Sequence, residues 1–207
     1  GESESGANFA HSARFTQFGE TKEKARGLDA SGNEVDHHEI TMVVMNANNG
    51  LPNPANGAVV SERLLAKRLL NSGANLYGVQ VSGRNDGADA RSNMEAAAAS
   101  QQATNSCYGN APCGRTNLNP RMLQAMVNLL QVNGYTIRVT SMAGGSHSSG
   151  SRHYGGNAFD ADTINGSAVS SNRALAREFI QACRDLGAVE ALGPGDAGHS
   201  SHVHCAW

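Results

Sequence analysis

Hydrophobic residues recur at helical spacing in three segments of the chain. The three stripes are Leu64, Leu65, Leu69 and Leu70; Met122, Met126, Leu129 and Leu130; and Leu175, Phe179, Ala182 and Leu186. Each stripe follows good capping residues, which are Ser61, Asn119, and Ser171 or Asn172, and Pro120 suits a first helical turn. Each stripe precedes a glycine that can end a helix: Gly73, Gly134 and Gly187. The pattern predicts three amphipathic helices.

Other segments have the pattern of β-strands. Residues 40–45 form a short apolar run that favours a buried strand. Residues 135–142 alternate between apolar and polar side chains, which is typical of a half-buried strand. Residues 188–192 and 202–206 are the final strand candidates. The strand over 135–142 leads directly into a loop rich in glycine and serine.

Two segments have no sustained period. Residues 1–36 are polar and mixed in charge, and we interpret them as an irregular amino-terminal arm. Residues 83–114 are small and polar, and we expect a long loop there with a helix at residues 96–99. Residues 37–207 contain neither a repeat nor a linker, so we expect a single α+β domain with an elaborated amino-terminal half. Its fold is expected to be a small antiparallel sheet flanked by helices.

The composition excludes some classes of function. The chain has 207 residues and a formal net charge of -2, so it lacks the basic field that binding to nucleic acid or to an anionic membrane requires. No apolar run approaches the length of a membrane span, and residues 1–4 have none of the features of a signal peptide. We therefore expect a mature, soluble chain that is a monomer.

The four cysteines favour two disulfide bonds. Cys107 and Cys113 enclose a short segment with glycine, asparagine and proline, which suits an exposed loop closed by a disulfide. Cys183 then pairs with Cys205 and ties the last helix to the terminal strand. Four free thiols in a reducing compartment are the alternative. Zinc binding by the cysteines is disfavoured because no C-x-x-C spacing occurs.

Residues in the last third of the chain match the ligands of a catalytic Zn²⁺ ion. Such a site uses three protein groups, such as imidazoles and a carboxylate, and leaves a fourth position for water. His153, Asp160 and His204 supply this set. His202 and His204 are separated by one residue, so on a strand both side chains leave the same face. One of them can then bind the metal while the other takes part in the chemistry.

The sequence around these residues resembles a known family. Residues 151–160, SRHYGGNAFD, match the signature S-x-H-x-x-G-x-A-x-D of the zinc D-alanyl-D-alanine peptidases at every fixed position. Residues 192–195, LGPG, the pair Gly198-His199 and the motif His202-x-His204 are similar to the carboxyl-terminal signature of bacterial zinc D,D-carboxypeptidases. Murein endopeptidases and the hedgehog amino-terminal domain belong to the same clan. The resemblance covers roughly residues 119–207.

The resemblance implies a division of roles within the site. In that family the first histidine, the aspartate and the last histidine of H-x-H bind zinc, which corresponds to His153, Asp160 and His204. His202 is then the candidate general base or oxyanion-stabilising group, and His199 supports it or faces the substrate. The candidates for contacts with substrate are Ser151, His147 and Arg138.

Two positions depart from that family's pattern. Its carboxylate base lies three residues before the last zinc histidine, where this chain has Ser201, which cannot accept a proton at neutral pH. The arginine of its G-[FY]-R-S loop, which holds the terminal carboxylate of the substrate, has no counterpart in residues 141–144, SMAG. Members of the clan that are similar to lysostaphin use the first histidine of H-x-H as base. His202, or Asp196 in the preceding loop, can therefore take the place of the carboxylate.

These observations lead to two main hypotheses of function. The first is a secreted zinc metallopeptidase that hydrolyses amide bonds in the stem peptides or cross-bridges of peptidoglycan, with a zinc-activated water as nucleophile. The second is a binding protein, such as a lectin or a cell-wall recognition module, that keeps the zinc and lacks turnover, and Ser201 favours it. A separate wall-anchoring or partner-binding role of the amino-terminal half is a third possibility.

Overall fold

The part of the chain that the structure describes contains four α-helices and ten β-strands. The computed structural model describes residues 20–28, 34–43, 61–72 and 74–207, with side chains in the last two ranges. The helices are α1 (Glu62–Asn71), α2 (Ala90–Ala98), α3 (Pro120–Gln131) and α4 (Arg173–Asp185). The strands are β1 (Glu20–Leu28), β2 (Glu34–Val43), β3 (Asn75–Leu76), β4 (Ala103–Thr104), β5 (Arg115–Thr116), β6 (Ile137–Ser141), β7 (Ala158–Ile164), β8 (Ser167–Ala168), β9 (Glu190–Leu192) and β10 (Val203–Ala206).

The largest sheet in the described part of the chain has six strands. Its strands lie in the order β3-β6-β7-β10-β9, and β8 also pairs with β7. Four of its pairs are antiparallel, and β3 with β6 is parallel. The chain runs through α2 and α3 between β3 and β6, which provides the long crossover that a parallel pair requires. The expected α+β class is confirmed, with one parallel pair in an otherwise antiparallel sheet.

Strands β1 and β2 form a separate antiparallel pair. The expectation that residues 1–36 are irregular is therefore wrong for Glu20–Leu28 and for the first residues of β2. Ladder hydrogen bonds join backbone groups, so a polar segment without apolar alternation can still pair. β2 includes residues 40–43 of the predicted strand. Residues 1–19 of the arm lie outside the described residues.

The three helices predicted from the apolar stripes are confirmed. The side chains of Ser61, Asn119 and Asn172 each accept a hydrogen bond from a backbone N–H of the first turn of α1, α3 and α4. Gly134 follows α3 with a φ of 75°. Gly73 lies outside the described residues. No helix within the described residues has the length and apolar character to cross a membrane.

The segment 83–114 is more regular than expected. The helix predicted at residues 96–99 spans Ala90–Ala98 instead, because the Asp89 side chain caps it by accepting a hydrogen bond from the Ser92 N–H at 2.9 Å. Met94 and Ala97 are fully buried on its inner face. Alanine and serine contribute little apolar contrast, so the hydrophobic pattern does not mark the start of this helix.

One hydrophobic core connects the four helices with the large sheet. Its largest fully buried side chains include Leu65, Met94, Met126, Phe159 and Phe179. Phe159 projects from β7 toward this core, so the neighbouring residue of β7 projects from the opposite face of the sheet. That opposite face carries the candidate site described below.

The inner face of α4 includes the predicted stripe and is wider than predicted: Phe179 and Leu186 are buried, and Leu175 and Ala182 pack against the core. Ala176, Ile180 and Cys183 are buried beside Phe179, whereas Leu175 is half-buried. Cys183 forms a disulfide with Cys205 of β10, which turns this face of α4 toward the strand.

Both predicted disulfide bonds are confirmed. Cys107 and Cys113 are joined with their Cα atoms 4.4 Å apart, and Cys183 and Cys205 with theirs 6.4 Å apart. The first bridge closes an exposed loop, whereas both cysteines of the second are fully buried. The second bridge therefore fastens α4 to the underside of β10.

We expect the buried bridge to contribute more stability than the exposed one. In the chain-entropy description a disulfide stabilises more as the closed loop lengthens, about 3 kcal/mol for the 22-residue separation and about 2 kcal/mol for the 6-residue separation. Urea denaturation of the double variants Cys183→Ala/Cys205→Ala and Cys107→Ala/Cys113→Ala measures both losses of unfolding free energy. A larger loss for the exposed pair would contradict the expectation.

Candidate metal centre

Neighbouring strands bring two site residues together. Asp160 lies in the middle of β7, and His204 of β10 is its direct partner in the antiparallel register. Residues directly opposite in such a pair project from the same face of the sheet, so their side chains meet. They lie on the face opposite the core.

A tight turn delivers the third residue. His153 lies in a 3₁₀ turn, Arg152–Gly155, and Ser151 caps the turn by accepting a hydrogen bond from the His153 N–H at 3.4 Å. Gly156 ends the turn with a φ of 69°, and a Cβ atom there would lie 2.1 Å from the carbonyl oxygen of Asn117. A residue with a Cβ atom would clash with this oxygen, so the turn requires glycine at position 156.

The three side chains form a compact triangle of potential ligand atoms. Asp160 Oδ1 lies 3.1 Å from His153 Nε2 and 2.9 Å from His204 Nδ1, and the two nitrogens are 3.1 Å apart. All three residues are buried, with exposed fractions of 1% for His153, 6% for Asp160 and 5% for His204. Two imidazoles and a carboxylate therefore converge on one point at the floor of a cleft.

The outer nitrogens of both imidazoles have hydrogen-bond acceptors. His153 Nδ1 contacts the carbonyl oxygen of Met142, and His204 Nε2 lies 3.1 Å from Glu190 Oε1. A carbonyl or carboxylate can only accept, so in the neutral rings these nitrogens carry the protons. The lone pairs of His153 Nε2 and His204 Nδ1 are then directed at the interior of the triangle. Metal-binding histidines are held in this way.

The donor set and its spacing suit a metal ion. In a tetrahedral site with metal–ligand distances near 2.0–2.1 Å, ligand atoms lie about 3.3 Å from one another. The edges of the triangle, 2.9 to 3.1 Å, are close to that separation. The three atoms are therefore spaced closely enough to serve as ligands of one metal ion.

The electrostatics of the triangle keep its carboxylate charged. Burial by itself raises the pKa of Asp160, but the adjacent His153 and His204 outweigh burial and hold the pKa well below its usual range. Burial by itself lowers the pKa of His204, but the carboxylates of Asp160 and Glu190 raise it above its ordinary value. A proton and a metal ion therefore compete for His204.

His147 and His202 lie on the other side of the same carboxylate. His147 Nδ1 and His202 Nε2 are each 4.0 Å from Asp160 Oδ2. The His147 ring stacks on His153 with centroids 3.9 Å apart, and its Nε2 lies 2.9 Å from the carbonyl oxygen of Gly144. Burial lowers the pKa of His147 to about 4 and also lowers the pKa of His202, so both rings are neutral at pH 7.

A second ligand set overlaps the first. His147, His153 and Asp160 each offer a ligand atom, and these atoms lie within 4.8 Å of one another. His204 is the better third ligand, because its Nδ1 is 2.9 Å from Asp160 whereas His147 Nδ1 is 4.0 Å away. Glu190 also supports His204 from behind.

The remaining predicted residues surround this centre or face away from it. Arg138 forms a two-point ion pair with Asp162, with both N–O distances 2.7 Å, so its guanidinium is directed at a protein carboxylate. The His199 ring lies 5.0 Å from that of His202, and its Nδ1 is 2.8 Å from the carbonyl oxygen of Ala197. Ser201 is exposed and lines the cleft.

The Asp196 carboxylate is used in its own loop. Its Oδ2 accepts a hydrogen bond from the Gly193 N–H at 2.9 Å. The geometry therefore gives Asp196 a role in holding the turn that leads to β10, and does not place it beside Asp160.

Sequence reasoning missed two groups that contact the histidines. Glu190 lies on β9, two positions along from Leu192, which is the direct partner of His204 in the register between β9 and β10. Such diagonal neighbours can touch, but the register is needed to find them. The Met142 contact uses a backbone carbonyl, which leaves no signal in the residue type.

Comparisons of the chain with family models, with curated proteins and with solved structures gave no match.

Alanine substitutions separate the two ligand sets. We expect His153→Ala and His204→Ala each to abolish stoichiometric metal binding, because either removes a corner of the triangle, whereas His147→Ala retains it. Metal analysis after dialysis measures the result. Loss of metal from His147→Ala with retention in His204→Ala would assign the site to the other set.

Removal of the Glu190 carboxylate tests the support behind His204. Loss of such a partner typically weakens metal affinity by about 10- to 100-fold, and we expect this for Glu190→Ala. Competition with a chelator measures the affinity. Glu178→Ala, at an exposed position of α4, is the control. Equal affinities of the two variants would show that Glu190 does not support the ligand.

Proposed function

We propose that this chain is a zinc metallopeptidase that hydrolyses amide bonds in the stem peptides or cross-bridges of peptidoglycan. The observation that carries the proposal is the buried triangle of His153 Nε2, Asp160 Oδ1 and His204 Nδ1, with the outer nitrogen of each imidazole hydrogen-bonded. The resemblance of residues 151–160 to the zinc D-alanyl-D-alanine peptidases supports the choice of substrate.

Zinc is the metal that this donor set favours. Catalytic zinc sites use three protein ligands drawn from histidine and carboxylate, in tetrahedral geometry with one position left open. Zinc supplies Lewis acidity, which polarises a carbonyl group and lowers the pKa of water. Asp160 and the two imidazoles provide one negative charge and three ligand atoms on the buried side of the cleft.

His202 is the best candidate to accept the proton from the attacking water. The carboxylates of the cleft floor are already engaged: Asp160 belongs to the triangle, Asp162 pairs with Arg138 and Glu190 contacts His204. His202 Nε2 lies 4.0 Å from Asp160 Oδ2, at the open side of the triangle. A neutral imidazole in this position can act as a general base.

His147 has a different role in this proposal. Its Nε2 lies 2.9 Å from the Gly144 carbonyl oxygen and its ring stacks on His153, so the ring is fixed in place. Its Nδ1 then has a free lone pair that can accept a hydrogen bond from a substrate N–H or from water. His147 therefore orients the substrate opposite His202.

The cleft and the disulfides fit an extracellular polymer substrate. The cleft extends on both sides of Asp160, and the larger cavity is about 1060 Å³, enough for several residues of a peptide. Two disulfide bonds are typical of proteins in oxidising compartments. Secretion to the cell wall accounts for both features.

A binding protein with the same metal centre is the second candidate. Ser201 stands where the resembled family has a carboxylate base, and each carboxylate on the cleft floor already has a protein partner among the described residues. Such a chain would hold a cell-wall peptide or glycan without cleaving it.

Peptidoglycan digestion distinguishes the two functions. We expect the zinc-loaded protein to release fragments from purified peptidoglycan, identified by mass, and His202→Ala to lower the rate about 10²- to 10⁴-fold with zinc content unchanged. Activity that appears only in Ser201→Asp, with an inert parent protein, would make the chain a binding protein and refute the peptidase proposal.

A further inference from the structure

The cleft above the metal centre has two halves of different chemistry. Ser146, His147, Asp160 and His202 line both halves and mark the boundary between them. The half that extends toward Tyr108 is called the hydroxyl half, and the half that extends toward Arg152 is called the arginine half. A substrate whose reacting bond lies over Asp160 enters both.

The hydroxyl half is lined mainly by groups that offer hydrogen bonds, and the guanidinium of Arg84 lies behind it, stacked on the Tyr108 ring at 4.2 Å from the centroid. The side chains that line it include Ser82, Tyr108, Thr140 and Ser201. Its fixed charges are the carboxylates of Asp160 and Asp162, and Arg138 satisfies Asp162 through two contacts of 2.7 Å. An anionic group is therefore disfavoured in this half, and uncharged polar groups suit it.

The arginine half contains a cation on a rigid support. Arg152 lines it, is exposed, and has no ion pair with any residue in the part of the chain that the structure describes. Arg152 is the first residue of the 3₁₀ turn and precedes the ligand His153, so the turn fixes its backbone beside the metal centre. Glu190 is a second charged group in this half, and its carboxylate contacts His204 at 3.1 Å.

We propose that Arg152 is a specificity-determining residue that binds a carboxylate of the substrate in the arginine half. The inference rests on the proposed function for the reacting bond but concerns a different group of the substrate. A guanidinium can donate two parallel N–H groups to one carboxylate, which gives both strength and orientation. The acidic group of the substrate therefore lies on the Arg152 side of the scissile bond, and the uncharged part lies against Tyr108 and Ser82.

The test combines one protein variant with a set of matched peptides. The zinc-loaded protein and Arg152→Gln are given synthetic stem peptides in which each carboxylate in turn is replaced by a carboxamide. We expect one amidation to lower kcat/KM of the parent protein by about 10- to 100-fold, as for a lost charge-assisted contact. On the acidic peptide, we expect kcat/KM of Arg152→Gln to be lower than that of the parent protein by the same factor. Amidation of that carboxylate is then expected to leave kcat/KM of Arg152→Gln unchanged.

Three controls separate this effect from a structural one. Arg177 is an exposed residue of α4 that does not line the cleft. Arg177→Gln therefore removes a positive charge elsewhere on the surface and is expected to behave like the parent protein. Arg152→Lys keeps the charge and is expected to keep part of the preference, since it lacks the two-point geometry. Zinc content of Arg152→Gln reports on the neighbouring ligand His153.

Binding measurements keep the test independent of turnover. If no peptide is cleaved, the peptidase proposal has failed, and calorimetric titration of the same peptides into the zinc-loaded proteins gives the comparison. The assignment of Arg152 is then supported if the parent protein binds the acidic peptide more tightly than the amidated one and Arg152→Gln does not. The assignment is overturned if Arg152→Gln weakens acid and amide peptides equally, or if no stem peptide is bound or cleaved.

Discussion

The candidate site depends on one buried negative charge, the carboxylate of Asp160. A carboxylate with an exposed fraction of 6% is costly unless it is paired. The nitrogens next to its Oδ1 belong to His153 and His204, and they stabilise the charge when they are protonated or when a cation lies between the three atoms. The other oxygen faces His147 and His202 at 4.0 Å. The two oxygens therefore divide the site into a side with the candidate ligand atoms of His153 and His204 and a side with His147 and His202.

The fold supplies this arrangement with short elements placed on a rigid sheet. The register of β7 with β10 sets Asp160 opposite His204, and the register of β10 with β9 sets Glu190 within reach of the same histidine. The remaining ligand comes from a 3₁₀ turn that closes only with glycine at position 156. Backbone pairing and this turn therefore set the positions of the candidate ligands.

Local signals made much of this structure predictable, and non-local ones account for what was missed. Helix caps such as Asn119 and the Cys107–Cys113 bridge follow from neighbouring residues. The Cys183–Cys205 bridge follows from pairing the two remaining cysteines. The role of Glu190 requires a strand register, the contact of Met142 uses its backbone, and β1 lacks the apolar alternation that identifies a strand. The start of α2, residues 90–95 (ARSNME), similarly has too little contrast between apolar and polar positions.

Strand β10 is held from both faces. His204 projects toward the metal centre, and the next residue, Cys205, projects toward the core and is bonded to α4. A metal ion bound by His204 would restrict the motion of the same four residues that the disulfide fastens, and the two events would then be coupled thermodynamically. Such coupling is reciprocal. The free energy by which the disulfide would favour metal binding equals the free energy by which a bound metal ion would oppose reduction of the disulfide.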